Sequence, residues 1–168
     1  MNAFLSEEEI LKHKEYLRQL KLKYSILEKS IPGIENKDFR DISRILRTDE
    51  REEVLNLLSK IRLHELFFSS FTDTPMKRNS LVCRQYGSEA NFLYQLLKIG
   101  RDAAPTFLCI TVRKGRILPV LTEDFFSLDT PLLALDLYEH AYFCDYGFNR
   151  EKYLECALSY LDLDRIKF

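Results

Sequence analysis

Only three histidines occur in this chain, and each sits where a metal ion could use it. Asp136 and His140 lie four residues apart in the run Leu135-Asp136-Leu137-Tyr138-Glu139-His140-Ala141-Tyr142. A carboxylate and an imidazole at that spacing can converge on one ion where the chain bends or enters a helix between them. His13 and His64 each fall inside a separate amphipathic helical pattern. His64 stands among Leu63, Leu66, Phe67 and Phe68, where a neutral imidazole needs partners for its ring nitrogens. Taken singly, each histidine reads as an ordinary hydrogen-bonded residue. Together they imply one polar site of three imidazoles and one carboxylate.

The elements that must position these groups follow from pattern. Ser6 with Glu9 forms a capping box, and Ile10, Leu11, Leu17, Leu20, Tyr24 and Leu27 follow at helical spacing up to Pro32-Gly33. Residues 36–48 are short and mixed, with room for a helical turn or two. Asp49 caps a second long helix, striped by Val54, Leu57, Leu58, Ile61, Leu66 and Phe67, which ends before Pro75. An antiparallel hairpin of these helices sets His13, early in the first, against His64, late in the second. Residues 76–87 read as a link. Ser88 caps a third helix that stops at Gly100. Residues 106–112 are rich in β-branched and aromatic side chains, Lys114-Gly115 is a turn signal, and 117–121 completes a hairpin. Residues 131–137 form a third strand, so Asp136 and His140 occupy a strand-to-helix corner. Helices return at about 139–145 and 150–161. The expected fold is α+β: residues 1–75 an N-terminal helical hairpin, residues 76–168 a C-terminal domain with a small three-stranded antiparallel sheet flanked by helices, and the metal site between the two.

Apolar residues make up 46% of the 168-residue chain, enough for a packed core. The net charge of −1 gives no whole-chain argument for nucleic acid or an anionic membrane, and the N-terminal basic residues are interspersed with Glu7, Glu8, Glu9 and Glu15. No segment has the length of a membrane span or the apolar core of a signal peptide, so a cytoplasmic protein is expected. Cys83, Cys109, Cys144 and Cys156 show no paired metal spacing and are expected to be reduced.

The run from Leu135 to Tyr142 closely resembles the D-x-W-E-H-A-Y signature of the iron/manganese superoxide dismutases. His64-Glu65-Leu66-Phe67-Phe68 is similar to the family's H-x-x-F stretch, and Ser6 to His13 has its spacing from helix start to first histidine. Tyr86-Gly87-Ser88 and the segment holding Tyr146, Asn149-Arg150 and Tyr153 extend the likeness over nearly the whole chain. The resemblance implies His13, His64, Asp136 and His140 as ligands of one iron or manganese ion per chain, with superoxide or another small oxidant as substrate. It also implies that Glu139 reaches the ligand histidine of a second subunit, so Glu139-His140 points to a homodimer. The alternative for Glu139 is an ordinary acid favouring a helix N-terminus.

Several positions depart from the family. Four and eight residues after the first ligand, where the family has a gating histidine and tyrosine, this chain has Leu17 and Lys21. Lys21 could attract an anion. Of the two places that supply the family's glutamine, one holds Lys60, and the other falls near Thr122-Glu123-Asp124. Glu123 is the better match, either as a partner of bound solvent, as a metal ligand, or as part of a solvated acidic loop. Tyr138 replaces the signature tryptophan, Phe107 another, and Phe143 the tyrosine that meets the missing histidine. Lys21 and Glu123 are therefore the candidate catalytic residues. A metalloprotein with another redox substrate, a sensing or storage role, or a structural role stays open beside a dismutase.

Overall fold

The computed structural model describes residues 4–31, 33–34, 41–42, 44, 46, 48–73 and 79–167. Two long helices, α1 (Glu7–Ser30) and α2 (Thr48–Ser69), open the chain. They run antiparallel: Tyr24 and Leu27, late in α1, pack with Val54, early in α2, while His13 meets His64. Leu17, Leu57 and Ile61 form the buried seam between them. The inward stripe of α1 is Glu9, His13 and Leu17, at strict i+4 spacing. Leu11, expected in that stripe, lies off it and is 67% exposed.

The capping box is only half made. Ser6 Oγ accepts from Glu9 N–H at 3.1 Å, but the Ser6 N–H bonds Asp145 instead. Glu9 is buried, and its carboxylate accepts from Cys144 N–H. The start of α1 is thus tied to the C-terminal part of the chain. Asp41, Ile42 and Arg44 are helical, in keeping with a short turn there. Asp49, the expected cap, is already inside α2, which starts at Thr48, and the helix ends at Ser69, before Pro75 as expected.

The link expected at 76–87 contains a helix, α3 (Ser80–Tyr86). Asn79 is the reason. Its Oδ1 accepts from Leu81 and Val82 N–H at 3.0 Å, and its Nδ2 donates to the carbonyls of Leu163 and Ile166. Gly87, at φ 82°, ends the helix. Asn79→Ala is expected to cost about 2–3 kcal/mol, since it removes a cap and two buried bonds to the C-terminal segment. A denaturant midpoint equal to wild type would refute that role.

Helix α4 (Glu89–Asp102) starts at Ser88 as expected but runs through Gly100. A Cβ at Gly100 would lie 3.0 Å from Leu154 Cδ1, so this glycine permits close helix packing and does not stop the helix. Strands β1 (Phe107–Arg113), β2 (Arg116–Thr122) and β3 (Pro131–Asp136) form one antiparallel sheet in the order β2-β1-β3. Lys114 and Gly115 both take positive φ, the two-residue turn that suits a right-twisted hairpin. Pro119 is tolerated because β2 is an edge strand. The central strand is buried from Phe107 to Thr111.

The free edge of β3 is met by Ser70, which follows α2. Its Oγ accepts from Ala134 N–H at 2.8 Å. After β3 the chain makes a 3-10 turn at Glu139–Ala141, then α5 (Phe143–Tyr146) and α6 (Arg150–Ser159). Phe92 and Leu96 of α4, Leu108 and Leu135 of the sheet, and Tyr153 and Leu154 of α6 share one core. The architecture is α+β, with the helical hairpin laid against the end of β3 that carries Asp136. No helix among the described residues is long and apolar enough to cross a membrane.

Candidate metal centre

Three separate elements deliver the four expected donors to one point. His13 comes from the inward stripe of α1, His64 from the last turns of α2, and Asp136 and His140 from the corner after β3. One ligand atom from each lies within 4.8 Å of the others. Asp136 Oδ2 is 3.2 Å from His13 Nε2, 3.5 Å from His64 Nε2 and 3.3 Å from His140 Nε2. His64 Nε2 and His140 Nε2 are 3.3 Å apart. Donors bonded to one first-row ion at about 2.1 Å lie roughly 3–3.6 Å from one another, the range of the spacings around Asp136 Oδ2 and between His64 and His140.

Each donor is fixed from behind. Asp136 Oδ1 accepts from Tyr138 N–H at 2.9 Å, which turns Oδ2 toward the imidazoles. The Asp136 carbonyl accepts from Tyr153 Oη, and the Tyr153 ring is buried and stacked on Tyr142. His64 Nδ1 donates to the Lys60 carbonyl at 2.6 Å. That bond sets the tautomer and leaves the Nε2 lone pair facing the cluster. His13 is walled by Phe67 and Phe68, with ring centroids at 4.9 and 4.8 Å.

His13 Nδ1, His13 Nε2 and Asp136 Oδ2 are buried without a hydrogen-bond partner. The 3.2 Å contact of His13 with Asp136 is close but lacks hydrogen-bond alignment, so its pull is electrostatic. Buried polar atoms left this way are costly unless something binds them. Burial pushes His64 down to about 4, only partly opposed by Asp136, so the ring is neutral at neutral pH. Burial would raise Asp136, but contacts with His13 and His140 outweigh it and hold the carboxyl well below the usual carboxylate range. A carboxylate and neutral imidazoles are the protonation states a cation requires.

In front of the donors lies a cavity of about 100 Å³, lined by Tyr16, Lys60, Leu63, His64, Phe107, Glu123, Tyr138 and His140. Its volume suits a few water-sized molecules. His140 is sandwiched between aromatic rings, Tyr16 at 4.6 Å and Tyr138 at 5.5 Å. Phe107 lies 5.0 Å from His64, the place expected of it near the site.

Glu123 is in this cavity wall, where its carboxylate accepts a very short hydrogen bond from Tyr138 Oη. Lys21 does not line the cavity. Its ammonium is 2.7 Å from Glu65, on the outer face of the hairpin. Leu17 is buried in the hairpin seam. The residue that sequence reasoning overlooked is Tyr16. It lies three positions after His13, a spacing that shares a helix face, whereas the resemblance points to positions four and eight residues on. Glu139 is half exposed and lies 3.7 Å from Arg150 of its own chain.

A largely buried set of three imidazoles and one carboxylate thus meets where a helical hairpin packs against a three-stranded sheet, an arrangement able to hold a metal ion. The description "Iron/manganese superoxide dismutases, C-terminal domain" matches residues 76–167, more than half of the chain. The "Superoxide dismutase [Fe]" of Cupriavidus metallidurans is 30% identical, over 69% of this chain and 64% of that protein. The chain thus spans less than two thirds of that relative's length. It belongs to the iron/manganese superoxide dismutase family, whose cofactor is an iron or manganese ion.

Proposed function

We propose that the chain holds one iron or manganese ion through His13, His64, Asp136 and His140 and dismutes superoxide. The observation that carries this reading is the convergence of the three Nε2 atoms on the orphaned Asp136 Oδ2. The bound ion's contribution is one-electron redox chemistry, through which two superoxide ions and two protons give dioxygen and hydrogen peroxide. Asp136 supplies the one formal negative charge of the donor set, and His64 is held in the donor tautomer by Lys60. Tyr16, Phe107 and Tyr138 keep the approach narrow, so only small solutes reach the donors. Glu123 holds the Tyr138 hydroxyl at the cavity wall.

Two lobes are proposed, residues 1–75 and 76–168, with the site between them. This is supported by the donors arriving from α1, α2 and the corner after β3. A homodimer through Glu139 and His140 is also proposed. Glu139 is half exposed, and Phe143 and Phe148 form an exposed aromatic pair a few residues on. Light scattering that found only single chains would exclude it. Four free cysteines suit the reducing cytoplasm.

The second reading is a metal protein of the same family with another small oxidant or with no turnover. It is favoured by the departures at Leu17, Lys21 and Glu123, which remove the family's gate and its glutamine. The deciding experiment measures metal content in protein purified without chelator, then superoxide dismutation by the iron- and manganese-loaded forms. About one metal per chain with fast turnover supports the dismutase. Stoichiometric metal without turnover supports the second reading, and no metal in any preparation excludes both.

Glu123→Gln is expected to raise the reduction potential of the loaded protein by a few tens of millivolts, because it removes a screened negative charge near the site. If potential, metal identity and activity all stay put, Glu123 is an ordinary loop acid.

A further inference from the structure

We infer that Glu123 is a positioning residue: by holding the Tyr138 hydroxyl it fixes the ring against which the His140 imidazole lies, and so keeps the solvent-facing donor aimed at the other three. The inference deepens the metal-site reading and rests on it.

His140 needs such support. It is partly exposed, whereas His13, His64 and Asp136 are buried. Within one chain, its Nδ1 has no hydrogen-bond partner among the described residues, so no bond sets the plane of its ring as the Lys60 carbonyl does for His64. Shape sets it instead. The imidazole lies between Tyr16, tilted at 4.6 Å, and Tyr138, nearly parallel at 5.5 Å. Tyr138 serves two donors at once: its N–H holds Asp136 Oδ1 at 2.9 Å, and its ring flanks His140. A phenol ring turns about its side-chain torsions unless its far end is held. Glu123 holds that end by accepting from the hydroxyl.

The acid stands on an anchored turn. Asp124 N–H donates to Thr122 Oγ1 at 2.9 Å, Asp124 Oδ1 accepts from Phe126 N–H at 2.9 Å, and Ser127 Oγ donates to the Asp124 carbonyl at 2.7 Å. Ser59 of α2 reaches Asp124 Oδ1 at 3.4 Å, which ties the turn to the helix that carries His64. Glu123 thus refers the Tyr138 ring, and through it His140, to the frame that already fixes another donor. The hydroxyl needs an acceptor and not a charge, so a glutamine amide oxygen can take the same bond.

Cobalt(II) is the probe, since a site that suits manganese or iron binds it at least as tightly and its visible band reports the geometry around the ion. Metal-free wild type, Tyr138→Phe, Glu123→Ala, Glu123→Gln and the Tyr138→Phe/Glu123→Ala double variant are titrated in competition with a chelating indicator. Tyr138→Phe and Glu123→Ala are each expected to bind roughly tenfold more weakly and to show an altered band. Glu123→Gln is expected to stay within about threefold of wild type with the wild-type band, because the bond survives. The double variant should be no weaker than either single one, since both remove the same contact. Wild-type affinity and band in either Tyr138→Phe or Glu123→Ala would overturn the inference and leave the metal site standing. Equal losses in Glu123→Ala and Glu123→Gln would overturn it by assigning the effect to charge. Weaker binding with an unchanged band would also overturn it, because general destabilisation does not alter the geometry of the ion once bound. A wild type that takes up no cobalt would instead sink the metal-site reading itself.

Discussion

Replacing His140 with alanine is expected to leave purified protein without stoichiometric metal, with affinity reduced by at least ~100-fold. The choice of residue matters. His13, His64 and Asp136 are buried, so their removal would disturb packing as well as coordination. The His140 side chain is 33% exposed, and the cavity lies beside it. Truncating it removes a donor while the cores around the other three remain. Metal-free wild type and metal-free His140→Ala should therefore melt within a few degrees of each other. Added metal should separate them, because a ligand at a thousandfold its dissociation constant stabilises a fold by about 4 kcal/mol. The measurement is metal per chain, paired with melting curves with and without metal. Stoichiometric metal in the variant would remove His140 from the site.

Much of this is legible in the sequence alone, and the reasons differ between elements. The long helices and three strands announce themselves through apolar period and turn residues, which are local signals. The clustering of His13, His64, Asp136 and His140 is legible because the three histidines and the aspartate sit at distinctive places in the helical and strand patterns. Helix α3 was missed because its cap, Asn79, makes half of its side-chain bonds to Leu163 and Ile166, far along the chain. Gly100 was misread for a related reason. Its meaning lies in Leu154, across a helix contact that no local pattern reveals.

Within the site, sequence placed Glu123 near the cavity but could not give its partner. The Tyr138 hydroxyl is supplied by a different turn. Lys21 illustrates the opposite case. A charge at a promising offset was assigned to the site, yet Glu65 on α2 offers it a nearer partner on the outside. Long flexible side chains follow local charge, and that is decided by tertiary neighbours. Tyr16 reaches the site by a one-residue change of offset from the positions considered, which a helical face readily allows.

Phe67→Ala is expected to produce the largest loss of stability, about 3–5 kcal/mol, and to damage the site through packing alone. Phe67 is fully buried in the main core, where its ring meets Phe68 at 5.3 Å and Phe71 at 5.1 Å. It also backs the imidazole of His13 at 4.9 Å. Removing it leaves a cavity behind a donor that has no hydrogen bond of its own to hold its orientation. His13 is positioned by shape, in contrast to His64, which is held by a bond to Lys60. The expected result is a lower denaturant midpoint with an unchanged slope, together with metal affinity reduced by roughly 10–100-fold. A total stability of about 5–15 kcal/mol leaves the variant folded but marginal, so both quantities can be measured at low temperature. Phe67→Leu, which refills most of the volume, should recover most of the affinity. If Phe67→Ala loses stability while metal affinity holds, then His13 is kept in place by the other donors, and the aromatic wall serves only the core.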